Sequence, residues 1–282
     1  MFQKIKIDGE PKEVTKIRNK ILKEFDGLVF IEDGHKYFLD GQQLPSVSEI
    51  THQFCQYPFN EELQAAKYAE KHGETPQYWL DQWKFKSLKA TTSGTLVHEF
   101  GESLGWLRNG HQELITDSCK VKFINEKKWL IPTRPKEEAI LKFYDELNPN
   151  LHFVLAETKV YTGKNPKLTN LKQNYCGTFD LLMYYDDPND KDKSGLVIMD
   201  YKTNASLTKD YSREMGRFLL QPFGDLYEEA LSYYTLQLSC YQLPLEDIGL
   251  KVIGRRIIWL KDDGTYELIP IKCVTDRLRE VL

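Results

Sequence analysis

Three apolar segments in the middle of the chain decide the fold: HFVLAETKVYT (152–162), NYCGTFDLLMYY (174–185) and GLVIMDYKT (195–203). Each segment has about the length of a strand and is rich in β-branched and aromatic residues. A polar, turn-rich loop over 186–194 separates the second segment from the third. The three segments therefore predict strands of one sheet.

Predicted helices flank these strands, and two further strands follow. The helices are expected over 61–72, 76–90, 94–110, 135–148 and 224–243, and the later strands over 251–261 and 264–272. Thr92 or Ser93 is the expected N-cap of the helix over 94–110. The order of the elements predicts an α/β or α+β domain, with a mixed sheet that carries helices on its faces.

The first part of the chain is expected to be an extension packed on this core. Residues 27–50 contain two turn signals between short alternating runs, which predict a hairpin. A helix capped by Ser46 or Ser48 is expected to follow it. We divide the chain into an N-terminal hairpin and helical extension over 1–90 and a core over 91–282. We expect the two parts to form one compact unit, because no flexible linker separates them.

Composition narrows the classes of function. The 282 residues have a formal net charge of -4, which is unlike the strongly basic balance of a protein that coats DNA non-specifically. No apolar run reaches the roughly 18 residues of a membrane span, and the N-terminus lacks the apolar stretch of a signal peptide. We expect a cytoplasmic protein of a bacterial or phage-infected cell, without a membrane partner.

The cysteines argue against covalent or metal cross-links. The five cysteines are widely spaced, and no CxxC pair occurs among them. Zinc and iron–sulfur sites normally show at least one close pair, so we expect no zinc site, no iron–sulfur cluster and no disulfide.

The sharpest chemical signal comes from GTFD (177–180) and DYKT (200–203). Asp180 and Asp200 lie in consecutive predicted strands, so their carboxylates can converge at one edge of the sheet. Lys202 stands two residues after Asp200 and should face the same side, with Tyr201 on the opposite side. Converging carboxylates repel unless a cation lies between them, and Mg²⁺ prefers oxygen ligands.

Such a site has the groups that phosphodiester hydrolysis requires. A bound metal ion lowers the pKa of its water and polarises a phosphoryl oxygen. The ammonium group of Lys202 orients the attacking water or stabilises the negative charge of the transition state.

The chain resembles the PD-(D/E)XK nucleases, and in particular their RecB-like branch with phage and mitochondrial exonucleases. Five elements of that branch occur in its order between residues 94 and 241. They are GTLVH (94–98), Glu157, GTFD (177–180), DYK (200–202) and QLSCY (237–241). The resemblance implies a restriction-endonuclease-like core, with a central mixed sheet flanked by helices.

The resemblance also implies a role for each residue. His98, Asp180, Asp200 and the backbone carbonyl of Tyr201 would bind Mg²⁺, for which Mn²⁺ can substitute. Lys202 would be the catalytic lysine. Glu157 would support catalysis, and Gln237 and Tyr241 would bind DNA or position Lys202.

Each of these residues also has a structural alternative. Asp180 could end a strand at a turn, and Asp200 with Lys202 could form a surface ion pair on an edge strand. His98 could be an ordinary residue of an amphipathic helix, with Glu99 or Glu102 as the relevant groups. The remaining candidates have equally plain alternatives: Glu157 could belong to a solvated strand face, and Gln237 and Tyr241 to a core-facing helix.

The resemblance favours a DNA exonuclease that acts on DNA ends in recombination, repair or phage genome processing, with single strands as one suggested substrate. A structure-specific or restriction-like endonuclease and a catalytically inactive DNA-binding module of the same fold are the alternatives. Whether the chain acts alone, as a homo-oligomer or with a recombination partner stays open.

Overall fold

The computed structural model describes residues 9–31, 33–34, 36–164 and 171–282. A central sheet and two small sheets hold the described strands. The strands are β1 (Val29–Ile31), β2 (Lys36–Leu39), β3 (Gln42–Leu44), β4 (Val121–Ile124), β5 (Lys127–Leu130), β6 (Leu151–Tyr161), β7 (Cys176–Tyr185), β8 (Gly195–Lys202), β9 (Val252–Leu260) and β10 (Tyr266–Pro270).

The central sheet has five strands in the order β6-β7-β8-β9-β10. The three segments that decided the prediction form an antiparallel meander, β6 to β8. β9 then pairs parallel to β8, and β10 pairs antiparallel to β9. The sheet is therefore mixed, which confirms the α/β class and the mixed sheet expected from the order of the elements.

Helices cover both sides of this sheet. They are α1 (Lys12–Glu24), α2 (Val47–His52), α3 (Glu61–His72), α4 (Pro76–Arg108), α5 (Pro135–Asp145), α6 (Asp210–Glu214), α7 (Ala230–Asp247) and α8 (Thr275–Val281), with short 3-10 turns at Gln112–Leu114 and Lys191–Lys193. The parallel pair β8–β9 needs a crossover, and α7 supplies it. None of the helices in the described ranges combines the length and the apolar character needed to cross a bilayer.

Helix α4 corrects one prediction. We expected a break at Thr92 or Ser93, but a single helix of 33 residues runs through both positions. The hydroxyl of Thr95 donates to the carbonyl of Thr91 at 3.1 Å, so at least this polar side chain is satisfied inside the helix rather than at a cap. The start of α4 is capped instead by Thr75, with Pro76 as the first helical residue. The division that we placed at residue 90 thus falls inside this helix.

Two glycines allow the C-terminal half of α4 to lie directly on its neighbours. A Cβ atom at Gly101 would stand 2.7 Å from the ring of Tyr201 in β8, and one at Gly105 would stand 2.7 Å from the hydroxyl of Tyr144. Real Cβ atoms do not approach so closely, so a larger residue at either position would push the helix away. This close packing fixes the height of His98, which precedes Gly101 by less than one turn.

The helix expected over 224–243 begins later than predicted. The structure places its first residue at Ala230 and its last at Asp247. The backbone at 217–219 instead pairs with the chain that we assigned to the first turns: Leu219 N–H donates to the Leu226 carbonyl, and Glu228 N–H donates to the Arg217 carbonyl. These hydrogen bonds close a compact loop ahead of α7.

The N-terminal part is close to expectation. The hairpin predicted over 27–50 is present as the three-stranded sheet β1-β2-β3. Ser46 caps α2 in a reciprocal capping box with Glu49, which settles the choice between Ser46 and Ser48. Gly73 ends α3 in the left-handed conformation that a helix C-terminus favours. Residues 1–8 of the proposed extension lie outside the described ranges.

Candidate active site

Five of the eight predicted site residues line one open cleft of about 710 Å³ where α4, β6, β7 and the end of β8 meet. His98, Glu157, Asp180 and Lys202 all contribute to its wall. They come from four elements that are far apart in sequence. Their convergence was predicted from the motifs alone, and packing of α4 on the sheet brings it about.

The register of β7 and β8 places the two aspartates side by side. Leu181 pairs with Met199, so Asp180 and Asp200 are the next opposing positions along the two strands. Both residues are buried. An oxygen of Asp180 accepts a hydrogen bond of 2.8 Å from the backbone N–H of Tyr201. The alternative in which Asp180 merely ends a strand at a turn is wrong, because β7 continues on both sides of it.

His98 completes a group that could hold a metal ion. Its Nδ1 lies 3.1 Å from an oxygen of Asp180. One ligand atom each from His98, Glu157 and Asp180 lies within 4.8 Å of the others, which suits a shared cation. This group includes Glu157 and not Asp200, whose role as a metal ligand stays a prediction.

Glu157 has an unusual backbone conformation. The flanking pairs Ala156–Leu181 and Thr158–Phe179 put Glu157 opposite Asp180, yet its φ is +44°, in the left-handed region. A residue with a side chain rarely adopts this conformation inside a strand, and doing so costs about 1–3 kcal/mol. The alternative of a solvated strand face does not fit, since Glu157 is partly buried at the head of the cleft.

The three neighbouring carboxyl groups of the site have very different pKa values. Burial, and then the charge of Asp180, raise the pKa of Glu157 to about 9. The same two causes raise the pKa of Asp200 to about 7. Burial also raises the pKa of Asp180, but the charge of His98 and its hydrogen bond outweigh burial and bring that pKa down to about 2. One ionised carboxylate is thus stabilised by His98, while its two neighbours favour their neutral form.

Lys202 is held as a half-buried cation. Its Nζ forms an ion pair with Asp200, and the side chain of Asp200 is only 2% exposed. The ammonium group also lies 4.3 Å from the ring centroid of Tyr234 in α7. Burial lowers the pKa of Lys202, but the charges of Asp200 and Asp180 outweigh it and raise the pKa. The alternative of a surface ion pair on an edge strand is wrong, because β8 lies inside the sheet.

Tyr201 points away from Asp200 and Lys202, as the strand period predicts. Its ring packs against Gly101, and its hydroxyl donates to the hydroxyl of Tyr144 at 3.3 Å. Its observed contribution to the site is the N–H that Asp180 accepts. The role of its carbonyl as a metal ligand stays a prediction.

Gln237 and Tyr241 line a second cleft, of about 390 Å³, that adjoins the first at Glu157. The amide of Gln237 donates to the hydroxyl of Tyr241 at 3.2 Å. A Cβ atom at Gly177 would stand 2.8 Å from the ring of Tyr241, which explains the glycine at the start of the GTFD motif. Because Tyr241 is only 4% exposed, it can position its neighbours but offers little open surface to DNA.

Sequence reasoning missed two contributors. Tyr234 contacts Lys202 and donates through its hydroxyl to Asn204 at 2.6 Å. Tyr234 precedes Gln237 by three residues and Tyr241 by seven, so helical spacing could have placed all three on one face. Glu102, which we named only as an alternative to His98, also lines the cleft, and burial raises its pKa.

The donor set fits a divalent cation. Carboxylate oxygens suit Mg²⁺ and Mn²⁺, and an imidazole nitrogen suits Mn²⁺ and later transition metals. Burial and the charge of Asp180 raise the pKa of Glu157 although His98 lowers it, so the protein's own groups compensate the negative charge of Glu157 only in part. A cation at the group formed by His98, Glu157 and Asp180 would supply that compensation.

No protein-family profile matches the chain. A stretch of 70 residues is 39% identical to a protein of Bacillus subtilis (strain 168) named putative major teichoic acid biosynthesis protein C. The match covers 25% of this chain, and the chain spans only 16% of that relative's length.

Proposed function

We propose that the chain is a metal-dependent DNA nuclease of the PD-(D/E)XK type, belonging to its RecB-like branch. One observation carries the proposal: His98, the carboxylates of Glu157 and Asp180, and Lys202 line one cleft, and Asp200 forms an ion pair with that lysine. The restriction-endonuclease-like core is part of the same proposal, since it would place the end of β8 at the catalytic centre. The partial relative bears a name from another process and matches too little of either chain to weigh against the cleft.

Three residues would hold the metal ion, for which we propose Mg²⁺ with Mn²⁺ as a substitute. Asp180 is ionised at neutral pH, because its pKa is about 2. His98 lies on one side of it and Glu157 on the other. When bound, the ion would supply an activated water and polarise the scissile phosphate.

Lys202 would act as a cation rather than as a base. Its raised pKa keeps the ammonium group protonated at neutral pH. Asp200 and Tyr234 fix the position of its Nζ from two directions. A preorganised positive charge of this kind stabilises the negative charge that develops on a phosphoryl oxygen in the transition state. Asp200 thus contributes mainly by holding Lys202.

The exonuclease mode rests on the resemblance and on the helix that carries Gln237 and Tyr241. The two adjoining clefts would give a DNA end room beyond the metal group. Recombination, repair and phage genome processing are the pathways that we propose for such an activity.

The decisive experiment is digestion of end-labelled linear DNA and of closed circular DNA, with Mg²⁺ and with EDTA. We expect products from the linear DNA only, complete inhibition by EDTA, and recovery with Mg²⁺ or Mn²⁺. Cleavage of closed circles would turn the proposal toward an endonuclease. Activity that persists in EDTA would contradict the metal mechanism.

Matched variants test the residues. Asp200→Asn and Lys202→Ala should each abolish cleavage and leave the thermal unfolding cooperative. Asp190 and Lys193 form an exposed ion pair before β8, at the other end of the strand from Lys202, so Asp190→Asn and Lys193→Ala are controls with the same chemistry. Full activity in either site variant would refute the assignment, and DNA binding without cleavage by the wild type would leave only a binding module.

A further inference from the structure

A small hairpin formed by β4 and β5 contains none of the residues assigned to the candidate active site. Its strands pair from Val121–Leu130 to Ile124–Lys127. Asn125 and Glu126 form its two-residue turn, both with positive φ, which matches the twist of a tight hairpin. Because the turn and the register are regular, the side chains on each face of the hairpin are well defined.

The outward face combines aromatic, aliphatic and cationic side chains. Lys122 pairs across the strands with Trp129, and Ile124 pairs with Lys127. On this face Trp129 is 53% exposed and Ile124 is 43% exposed. Exposed apolar side chains that are grouped on one face, here beside Lys122 and Lys127, can mark an interaction site.

The inward face attaches the hairpin to the protein. Leu130 is buried in the core, and the backbone N–H of Lys128 donates to the side chain of Gln112 at 3.2 Å. The Lys128 ammonium also reaches the Gln112 carbonyl at 3.4 Å. The outward residues are thus presented on a fixed base.

Both ends of the hairpin are tied to the walls of the active-site cleft. Before β4, Ser118 donates to Glu99, which follows His98 on α4. After β5, Lys136 at the start of α5 donates to the carbonyl of Thr203 at 2.7 Å, directly after Lys202. The segments that flank the hairpin therefore contact residues that line the cleft, while Lys127 and Trp129 line a separate groove beside Leu107 and Leu141.

The charge of the hairpin complements that of the cleft. Residues 120–128 contain four lysines and one glutamate, in a chain whose net charge is -4. Among the residues that the structure describes, no carboxylate forms an ion pair with Lys120, Lys122 or Lys127. The cleft walls instead carry several acids, so a polyanion that enters the cleft needs cationic groups outside it.

We propose that the β4–β5 hairpin is a binding site for single-stranded nucleic acid at the entrance to the cleft. Lys122 and Lys127 would contact phosphates, and Trp129, on the same face, would stack on a base. Unpaired bases expose the faces that such stacking needs, whereas the bases of a duplex are already stacked. The inference deepens the proposed nuclease function, because it names the strand form that reaches the cleft.

The test measures binding without catalysis. A fluorescein-labelled oligothymidylate of 20 nucleotides is titrated in EDTA at several salt concentrations, and anisotropy gives the Kd. Lys122→Gln combined with Lys127→Gln should weaken binding and reduce the slope of log Kd against log salt by about 1.4, at about 0.7 for each lost phosphate contact. Lys191→Gln combined with Lys193→Gln is the control, since both lysines are exposed and precede β8.

A second variant tests stacking separately. Trp129→Ala should weaken binding about 5-fold or more, whereas Trp129→Phe should keep most of the affinity because an aromatic face remains. A duplex of the same length should lose less affinity in Trp129→Ala. Circular dichroism of each variant checks that the fold is retained.

The outcomes separate the two proposals. If the lysine pair and Trp129→Ala leave both the Kd and the salt slope at the control values while the wild type binds and cleaves, the hairpin inference fails and the nuclease proposal stands. Binding that depends on the hairpin, in a protein that cleaves no DNA with Mg²⁺, supports the inference and contradicts the nuclease proposal. A wild type that does not bind the oligonucleotide overturns the inference, and the exposed face then becomes a candidate protein interface.

Discussion

The two halves of helix α4 differ more from each other than many separate elements do. Every residue over 76–96 is exposed or half-buried, whereas seven residues of the remaining half are buried, from Val97 to Trp106. The buried half lies on the sheet and carries His98 into the cleft. The exposed half projects and packs against α3, where Tyr68 makes edge contacts with Trp79 and Trp83.

The difference shows how one regular element can meet two physical demands. The buried half depends on small residues, because Gly101 and Gly105 allow close approach to Tyr201 and Tyr144. The exposed half depends on large residues, because an aromatic cluster is its main contact with α3. We therefore expect changes in the buried half to affect the site and the whole fold, and changes in the exposed half to act locally.

The largest contrast should be in activity. Changing His98→Ala in the buried half removes a proposed metal ligand, and we expect kcat/KM on linear DNA to fall at least 1000-fold, about 4 kcal/mol of transition-state stabilisation. Gln82→Ala in the exposed half is the matched control and should stay within about 2-fold. Equal activity of the two variants would remove His98 from the site.

Stability should show the next contrast. Gly101→Leu forces a side chain against Tyr201, and we expect it to destabilise the protein by about 3 kcal/mol or more in urea unfolding. Ser87→Leu makes a similar small-to-large change on the exposed half and should stay within about 0.5 kcal/mol. If both variants unfold at the same urea concentration, the close packing of α4 is not what holds it on the sheet.

The pH dependence should follow from the charges beside the buried half. Glu157 and Asp200 have raised pKa values, so the folded state holds protons that the unfolded chain releases above its ordinary pKa. His98 adds to this effect between its ordinary 6.5 and about 9. In EDTA, the Tm should therefore fall by a few degrees as pH rises from about 6.5 to about 9.

A single isosteric variant checks that window. Glu157→Gln removes one ionisation, so it should raise the Tm of the chelated protein near pH 8.5 and flatten its decline. Mg²⁺ should stabilise the wild type more at high pH than at low pH, because the ion binds the ionised carboxylates. A Tm that rises with pH in EDTA would contradict the charge balance described for the site.

The smallest effect should come from the aromatic cluster of the exposed half. Trp83→Ala should increase hydrogen exchange over 61–90, while the Tm of the whole protein changes by only about 2 °C. Exchange that also increases in β6 to β8 would show that the two halves of α4 unfold as one unit, and the comparison would then not hold.

The centre of the molecule could be predicted from the sequence because its patterns are redundant. The β-branched and aromatic runs over 152–162, 174–185 and 195–203 are confirmed as strands. The strand period correctly put Lys202 on the side of Asp200 and Tyr201 on the other. The structure brings His98, Glu157, Asp180 and Lys202 together in one cleft, and their roles stay predictions; the motifs could not show that Glu157, rather than Asp200, groups with His98 and Asp180.

Features that depend on contacts between distant residues were missed. Thr92 and Ser93 looked like a cap, yet helix propensity is a weak guide and packing with α3 favours a continuous helix. The β4–β5 hairpin has lysines where a buried strand would have apolar residues, so periodicity gave no signal for it. α1 and α8 were also unrecognised, although Val14, Ile17 and Ile21 have the helical spacing that could have predicted α1.

The continuity of α4 has a mechanical consequence. His98 stands 22 residues from the start of the helix, so the projecting end lies about 33 Å away along a single rod, at about 1.5 Å of rise per residue. The close contact of Gly101 with Tyr201 holds the helix on the sheet near the other end of that rod. A sideways displacement of the far end would therefore be transmitted along the helix to His98, because the projecting arm and this histidine belong to the same rigid element.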